Sequence, residues 1–305
     1  MERYGEAVFA TEYLCKEYRH TVALRDVSIT IPRGQIYGLI GENGAGKTTL
    51  LRILCGLTRP TRGRLLLFGA ADAARQSEMR RRMGCLVDGP ALYADLTAWQ
   101  NLKVQCLQRG LNEADIAPTL QLVGLKDTGS KPAGKFSLGM RQRLGLAVAL
   151  LGKPEFLVLD EPLNGLDPEG IHSIRELLLQ LHQEGKTVFL SSHLLDEVEK
   201  TCTHVGILQH GCLLYQGDLS ELLNSIEKRI HIRLDKVDLL HSVCKEVQID
   251  SRIKSESILE VILSNDTTYD RLIELLGQGG YHISAIQPLE NTLESVYLKL
   301  TSQTK

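Results

Sequence analysis

The run Gly41-Glu42-Asn43-Gly44-Ala45-Gly46-Lys47-Thr48-Thr49 has a spacing that can cradle phosphate. It fits the pattern of two glycines bracketing four residues, followed by lysine and a hydroxyl residue. Glycines let the backbone fold tightly, so that its N–H groups point inward at phosphate oxygens. Lys47 supplies a cation for the outer phosphates, and the Thr48 hydroxyl can ligate Mg²⁺. A second group, Asp160-Glu161, closes the apolar run Phe156-Leu157-Val158-Leu159. Two carboxylates at the end of a buried strand are costly unless a metal or a reacting group uses them. Asp160 can reach a Mg²⁺ shell, and Glu161 can polarise or orient an attacking water. A third group, Ser137-Leu138-Gly139-Met140, precedes the apolar stretch Leu144 to Leu151. A Ser-x-Gly at a helix start offers an anion a hydroxyl and backbone N–H groups; alone it is an ordinary helix cap.

These groups need elements to hold them. Ile36 to Ile40 reads as a buried strand, and Leu50 to Leu54 as the first turns of a helix whose positive end faces the glycine loop. Val22 to Ile31 alternates at period two and ends at Pro32-Arg33-Gly34, and Arg64 to Phe68 is a further strand. Residues from about 96 to 150 carry apolar residues at helical spacing and read as a helical insertion. Strand, helix and strand then return in Phe156 to Leu159, Glu169 to Glu184 and Thr187 to Leu190. Such continuous apolar runs suit a parallel sheet covered on both faces. Gly217 to Asn224 reads as a closing helix.

Beyond it the pattern changes. Strands are expected at 229–234, ending near Ile249, at 257–263 and at 283–286, with helices at 237–247, 269–276 and 292–300. That β-α-β-β-α-β order predicts a small ferredoxin-like α+β domain.

Bulk properties narrow the function. The chain has 305 residues and a formal net charge of −2, so no bulk attraction to nucleic acid or anionic lipid is implied. Arg75 and Arg80 to Arg82 are expected to form a solvated helix face, since a nucleic-acid patch needs interleaved aromatics. Seven cysteines (Cys15, Cys55, Cys85, Cys106, Cys202, Cys212 and Cys244) are scattered without a C-x-x-C pair. This argues for free thiols in a reducing compartment; Cys55 and Cys85, in apolar contexts, are expected as core filler. Met1 to Glu6 is polar and does not read as a secretory signal, and no stretch is long enough to span a bilayer.

With these motifs in this order, the chain resembles the ATP-binding subunit of an ABC transporter over roughly residues 8–220. The resemblance implies an α/β P-loop NTPase domain of the ABC type over 1–224, with a helical subdomain at about 90–152, and an accessory domain over 225–305. It also implies a nucleotide site. Tyr18 would stack on ATP, and Gly41, Asn43, Gly44, Gly46, Lys47, Thr48 and Thr49 would hold its phosphates. Ser137 and Gly139 match the family's signature loop, and Asn164-Gly165-Leu166-Asp167 its D-loop. Thr48 and Asp160 would hold Mg²⁺, with Asp88 in support; Glu161 would orient water, and His193, after Ser191-Ser192, would sense the terminal phosphate. The implied partners are an integral membrane permease and a second ATP-binding subunit, the same chain in a homodimer. The implied location is the cytoplasmic face of the membrane.

Two departures matter. Leu138 and Met140 replace the usual glycine and glutamine of the signature. Asp88, in Gly84 to Pro90, stands where the family carries a glutamine; it can ligate a metal but cannot donate unless protonated. A turn acid ahead of Gly89-Pro90 is the competing reading. Both departures, and a closing Leu293-Glu294-Ser295-Val296-Tyr297-Leu298 helix, resemble the exporter branch linked to bacitracin and lantibiotic self-protection. That branch often carries glutamate where Asp88 stands. Trp99, Leu92 and Tyr93 lie where the family docks its permease, with core packing as the alternative. Two other functions remain: a soluble non-transport ABC ATPase acting on ribosomes or DNA, and a nucleotide-gated binding subunit with little turnover. A single ATP module without heptad repeats disfavours the first, and intact Lys47, Asp160 and Glu161 disfavour the second.

Overall fold

A computed structural model describes residues 7–225, 227–263, 266–278, 280–289 and 291–302. The polar start at Met1 to Glu6 lies outside the described residues. The chain divides into two compact units, Met1–Leu219 and Ser220–Lys305.

The first unit opens with β1 (Ala7–Tyr18), β2 (Thr21–Val27) and β3 (Thr30–Pro32), followed by β4 (Ile36–Ile40), α1 (Lys47–Leu54), β5 (Arg62–Leu67), α2 (Ala73–Met79) and β6 (Met83–Leu86). The helical insertion is α3 (Ala98–Arg109), α4 (Ile116–Leu122) and α5 (Leu138–Leu150). Then come β7 (Phe156–Asp160), α6 (Pro168–Gln183), β8 (Thr187–Ser192), α7 (Leu195–Thr201), β9 (His204–Gln209) and β10 (Cys212–Asp218); α8 (Leu219–Asn224) begins at the boundary and falls almost wholly in the second unit.

Two sheets form. β1 pairs antiparallel with β2, β3 and β5. The second sheet has the order β10-β9-β4-β8-β7-β6, parallel except for β10. β4, β7 and β8 are buried along almost their whole length, which is why their sequences are apolar runs rather than alternations. One core joins the sheets. Phe189 stacks on Phe9 at 6.2 Å and meets the edge of Tyr37 at 5.6 Å between ring centroids. Among the described residues, no helix is long and apolar enough to cross a membrane.

Three local expectations change. The alternation over 22–31 is broken into β2 and β3, because β1 bends at Tyr13 (φ 48°) and the Thr11 hydroxyl takes the Ile29 N–H at 3.1 Å. The stretch Gly217 to Asn224 starts as strand: β10 runs to Asp218, and its hairpin with β9 had no period-two signal to mark it. Cys85 is exposed and so is not core filler, whereas Cys55 is half-buried and packs against the core. β6 is the sheet's edge strand, and between buried Gly84 and Leu86 the alternation turns Cys85 to the opposite face. Of the basic cluster, Arg80 Nε donates to Leu54 O at 3.0 Å, and Arg82 grips Glu155 and lies 4.1 Å from the Phe68 ring. Arg82 thereby lowers the Glu155 carboxyl below its usual range.

The second unit contains β11 (Lys228–Leu234), α9 (Val237–Glu246), β12 (Ser251–Ser255), β13 (Ile258–Leu263), α10 (Asp266–Gln278), β14 (Ile283–Leu289) and α11 (Leu293–Ser302). Its antiparallel order β12-β13-β11-β14 is the split β-α-β arrangement of the ferredoxin-like fold. The strand expected to end near Ile249 begins after it. Gln248 is left-handed (φ 61°), and the Ile249 N–H returns to Cys244 O at 2.8 Å, so these residues close α9. Its own core gathers Ile230, Ile232, Leu240, Leu259, Val261 and Leu272.

β6 and α5 touch backbone to side. A Cβ on Gly84 would fall on the Ala149 carbonyl, which is backbone and cannot swing aside. Gly84→Ala should therefore cost the first unit about 2–3 kcal/mol. Urea unfolding followed by the fluorescence of Trp99, the single tryptophan, should show a lowered midpoint with an unchanged slope.

Candidate nucleotide site

The site sits where β4, β7 and β8 end. Their parallel registers, Ile40 beside Ser192 and Asp160 beside Ser191, bring the strand ends to one edge of the sheet. Crevices at such edges are where open α/β sheets bind ligands.

From β4 the chain turns through Gly41 to Gly46 into α1. Gly46 caps the helix at φ 109° without a side-chain hydrogen bond, and a Cβ there would lie 2.5 Å from Ala23 O. Only glycine fits, and the N–H groups of the first turn keep their capacity for an anion. Asn43 and Gly44 are exposed on the loop; Gly41 is buried and Thr49 half-buried. Lys47 is only 6% exposed. Its ammonium donates to Gly41 O at 2.6 Å and Glu42 O at 3.3 Å, and lies 3.3 Å from Glu161 Oε1. Thr48 Oγ1 meets Asp160 Oδ1 at 3.3 Å, across from the end of β7.

Glu161 follows in a left-handed conformation (φ 48°), which turns its side chain back toward the loop. Its second oxygen is 2.8 Å from His193 Nδ1, so one carboxylate links Lys47 to His193. Tyr18 ends β1 with its ring 41% exposed and the Lys16 ammonium 4.7 Å from the ring centroid. Thr48 and Asp160 offer hard oxygens at one point, beside an almost buried lysine and an uncapped helix. That donor set fits Mg²⁺ and a phosphate chain.

The remaining expected residues gather elsewhere. Ser137 caps α5, its Oγ accepting from Met140 N at 3.2 Å, and Asp167 caps α6, its Oδ1 accepting from Gly170 N at 3.0 Å. With Gly139 and Arg143 they line a cleft of about 420 Å³. Among the described residues, no hydrogen bond or ion pair joins Ser137, Gly139 or Asp167 to Lys47, Asp160, Glu161 or His193. Asp88 is also held apart. It is left-handed (φ 61°), and both its oxygens are taken by Arg52, at 2.9 and 2.7 Å. Tyr93 and Trp99 are 48% and 42% exposed, so neither is core.

Ser191 was legible only as a neighbour of His193. Fully buried, its hydroxyl donates to Asp160 Oδ1 at 2.6 Å and accepts the Glu161 N–H at 3.0 Å. The available signal was a hydroxyl residue at the end of the strand beside β7.

Fold and site together define a P-loop ATPase with a helical insertion. The ABC transporter family profile matches residues 24–164. The bacitracin transport ATP-binding protein BcrA of Bacillus licheniformis is 38% identical over 298 residues, covering 96% of this chain and 97% of that protein. The lantibiotic transport ATP-binding protein SrtF of Streptococcus pyogenes is 41% identical over 225 residues, covering 71% of this chain and 97% of that one. A solved ATP-binding subunit of an ABC transporter aligns with TM-score 0.65 and 31% identity, over 72% of this chain and 92% of its own. The chain belongs to the family of ABC transporter ATP-binding proteins and is an ATP-binding and ATP-hydrolysing cassette.

Ser191→Ala would leave the part-buried Glu161 N–H without its acceptor and Asp160 without its shorter hydrogen bond. An unsatisfied buried donor costs about 1–3 kcal/mol, or roughly five- to 160-fold in rate if the loss falls on the transition state. Phosphate release should drop by that factor, while a fluorescent ATP analogue binds within about threefold of the parent affinity.

Proposed function

We propose that this chain is the ATP-hydrolysing subunit of an exporter, dimerising on ATP to drive a membrane permease that expels antibiotic, lantibiotic or similar peptide-like compounds. The observation that carries the catalytic part is Glu161 held between Lys47 and His193, beside Thr48 and Asp160. Tyr18 stacks on the base; Gly41, Asn43, Gly44, Gly46, Thr48 and Thr49 cradle the phosphates, and Lys47 neutralises the outer ones. Thr48 and Asp160 would hold Mg²⁺, with Asp88 in support. Mg²⁺ held there would supply positive charge against the negative charge developing on the leaving group. Glu161 orients the attacking water and accepts its proton, and His193 hydrogen-bonds the terminal phosphate.

Dimerisation follows from the separation of the two residue groups. Ser137 and Asp167 cap their own helices, Gly139 lies in the first turn of α5, and among the described residues none of the three is bonded to Lys47, Asp160, Glu161 or His193, so a second copy supplies them to close the site. ATP binding then favours the closed pair, and hydrolysis removes the bridge. Exposed Tyr93 and Trp99 suit contact with a permease, as amphipathic aromatics do at interfaces. The substrate class rests on acidic Asp88, the Ser137-Leu138-Gly139-Met140 signature and the likeness to bacitracin and lantibiotic transport proteins.

Glu161→Gln tests the mechanism. Nucleotide binding should persist while phosphate release falls by about 100-fold or more. Light scattering should show an ATP-dependent dimer that this variant accumulates. Turnover near the parent rate would sink the water-orienting role, and a monomer under every nucleotide condition would sink the shared site. Co-purification with an integral membrane chain tests the transport role.

A further inference from the structure

We propose that Arg52 is a positioning residue: it holds Asp88 on α1, in competition with the divalent cation, and must release it before Asp88 can support the metal. The inference rests on the reading of Asp88 as a metal ligand.

The geometry is a fork. Arg52 Nε donates to Asp88 Oδ2 at 2.9 Å, and Nη2 to Oδ1 at 2.7 Å, so one guanidinium occupies both carboxylate oxygens. Arg52 lies four residues after Thr48 on α1, on the same helical face and one turn along. The anchor of Asp88 is therefore next to the hydroxyl that meets Asp160. Asp88 sits on a stiff turn, with φ 61° followed by Gly89 at 87° and then Pro90, so a change of partner falls on its side chain. The guanidinium thus holds a carboxylate that the metal also needs.

The latch is weak enough to work. Arg52 and Asp88 side chains are 43% and 44% exposed, and exposed ion pairs shift equilibria by roughly 1.4- to fivefold. A divalent cation competes successfully with such a pair, whereas it would not displace a buried one. A lysine, which cannot form the fork, would hold Asp88 less well.

The test titrates Mg²⁺ into the full chain at a fixed, subsaturating fluorescent ATP analogue, without reference to turnover. Arg52→Ala should lower the Mg²⁺ half-saturation about two- to fivefold, and Arg52→Lys should fall between. In an Asp88→Asn background, Arg52→Ala should shift nothing. Hydrogen exchange without nucleotide should speed up over residues 86–90 in Arg52→Ala. An unchanged or raised half-saturation in Arg52→Ala, an equal shift in the Asp88→Asn background, or unchanged exchange would each overturn the latch. If Asp88→Asn by itself leaves the Mg²⁺ dependence untouched, the metal role of Asp88 fails, and the latch with it. That outcome is separate from one in which Asp88→Asn weakens Mg²⁺ but Arg52→Ala does nothing.

Discussion

One hydroxyl, that of Ser191, carries the catalytic edge of this molecule. It donates to Asp160 and accepts from the backbone of Glu161, so both acids are set by the same atom. The hydroxyl is in reach only because β7 and β8 run parallel with Asp160 beside Ser191. The same sheet puts Ile40 beside Ser192, so the phosphate loop leaves from the same edge. A shift of one residue in either register would turn each of these side chains to the opposite face. The dry core beneath, with Phe9, Tyr37 and Phe189 in contact, keeps the register from slipping.

The helical insertion is fastened to this edge as well. Gln142 of α5 is buried and donates to Pro162 O at 3.1 Å, one residue past Glu161. Leu138 packs on the D-loop: a Cβ on left-handed Gly165 would come within 2.7 Å of its Cδ2. The replacement of glycine by leucine in the signature therefore has a contact to make. It sets the start of α5 against the loop that leads to Asp167.

Much of the fold could be read from periodicity. Buried strands β4, β7 and β8 announce themselves as unbroken apolar runs, and the amphipathic α6 as a 3.6-residue repeat. The second unit was legible for the same reason, although its strand β12 was displaced because a helix-ending turn at Gln248 and Ile249 resembles the start of a strand. The hairpin of β9 and β10 was not legible. β9 is buried on both faces and β10 only partly, so neither alternates. Cys85 was misjudged because burial depends on strand order, and nothing in the local sequence says that β6 is an edge.

The site divides in the same way. The amino-acid sequence by itself determined which groups can do chemistry: a glycine loop with Lys47 and Thr48, two acids closing a strand, a serine and glycine opening a helix, and a histidine after a strand. Those follow from covalent chemistry and local backbone preference, which act over a few residues. Tertiary structure alone decided that Glu161 bridges Lys47 and His193, that Ser191 holds both acids, and that Arg52 takes Asp88. Each of those pairs is far apart in the chain, and only the pairing of strands and the packing of α1 on the sheet bring its members within hydrogen-bonding distance.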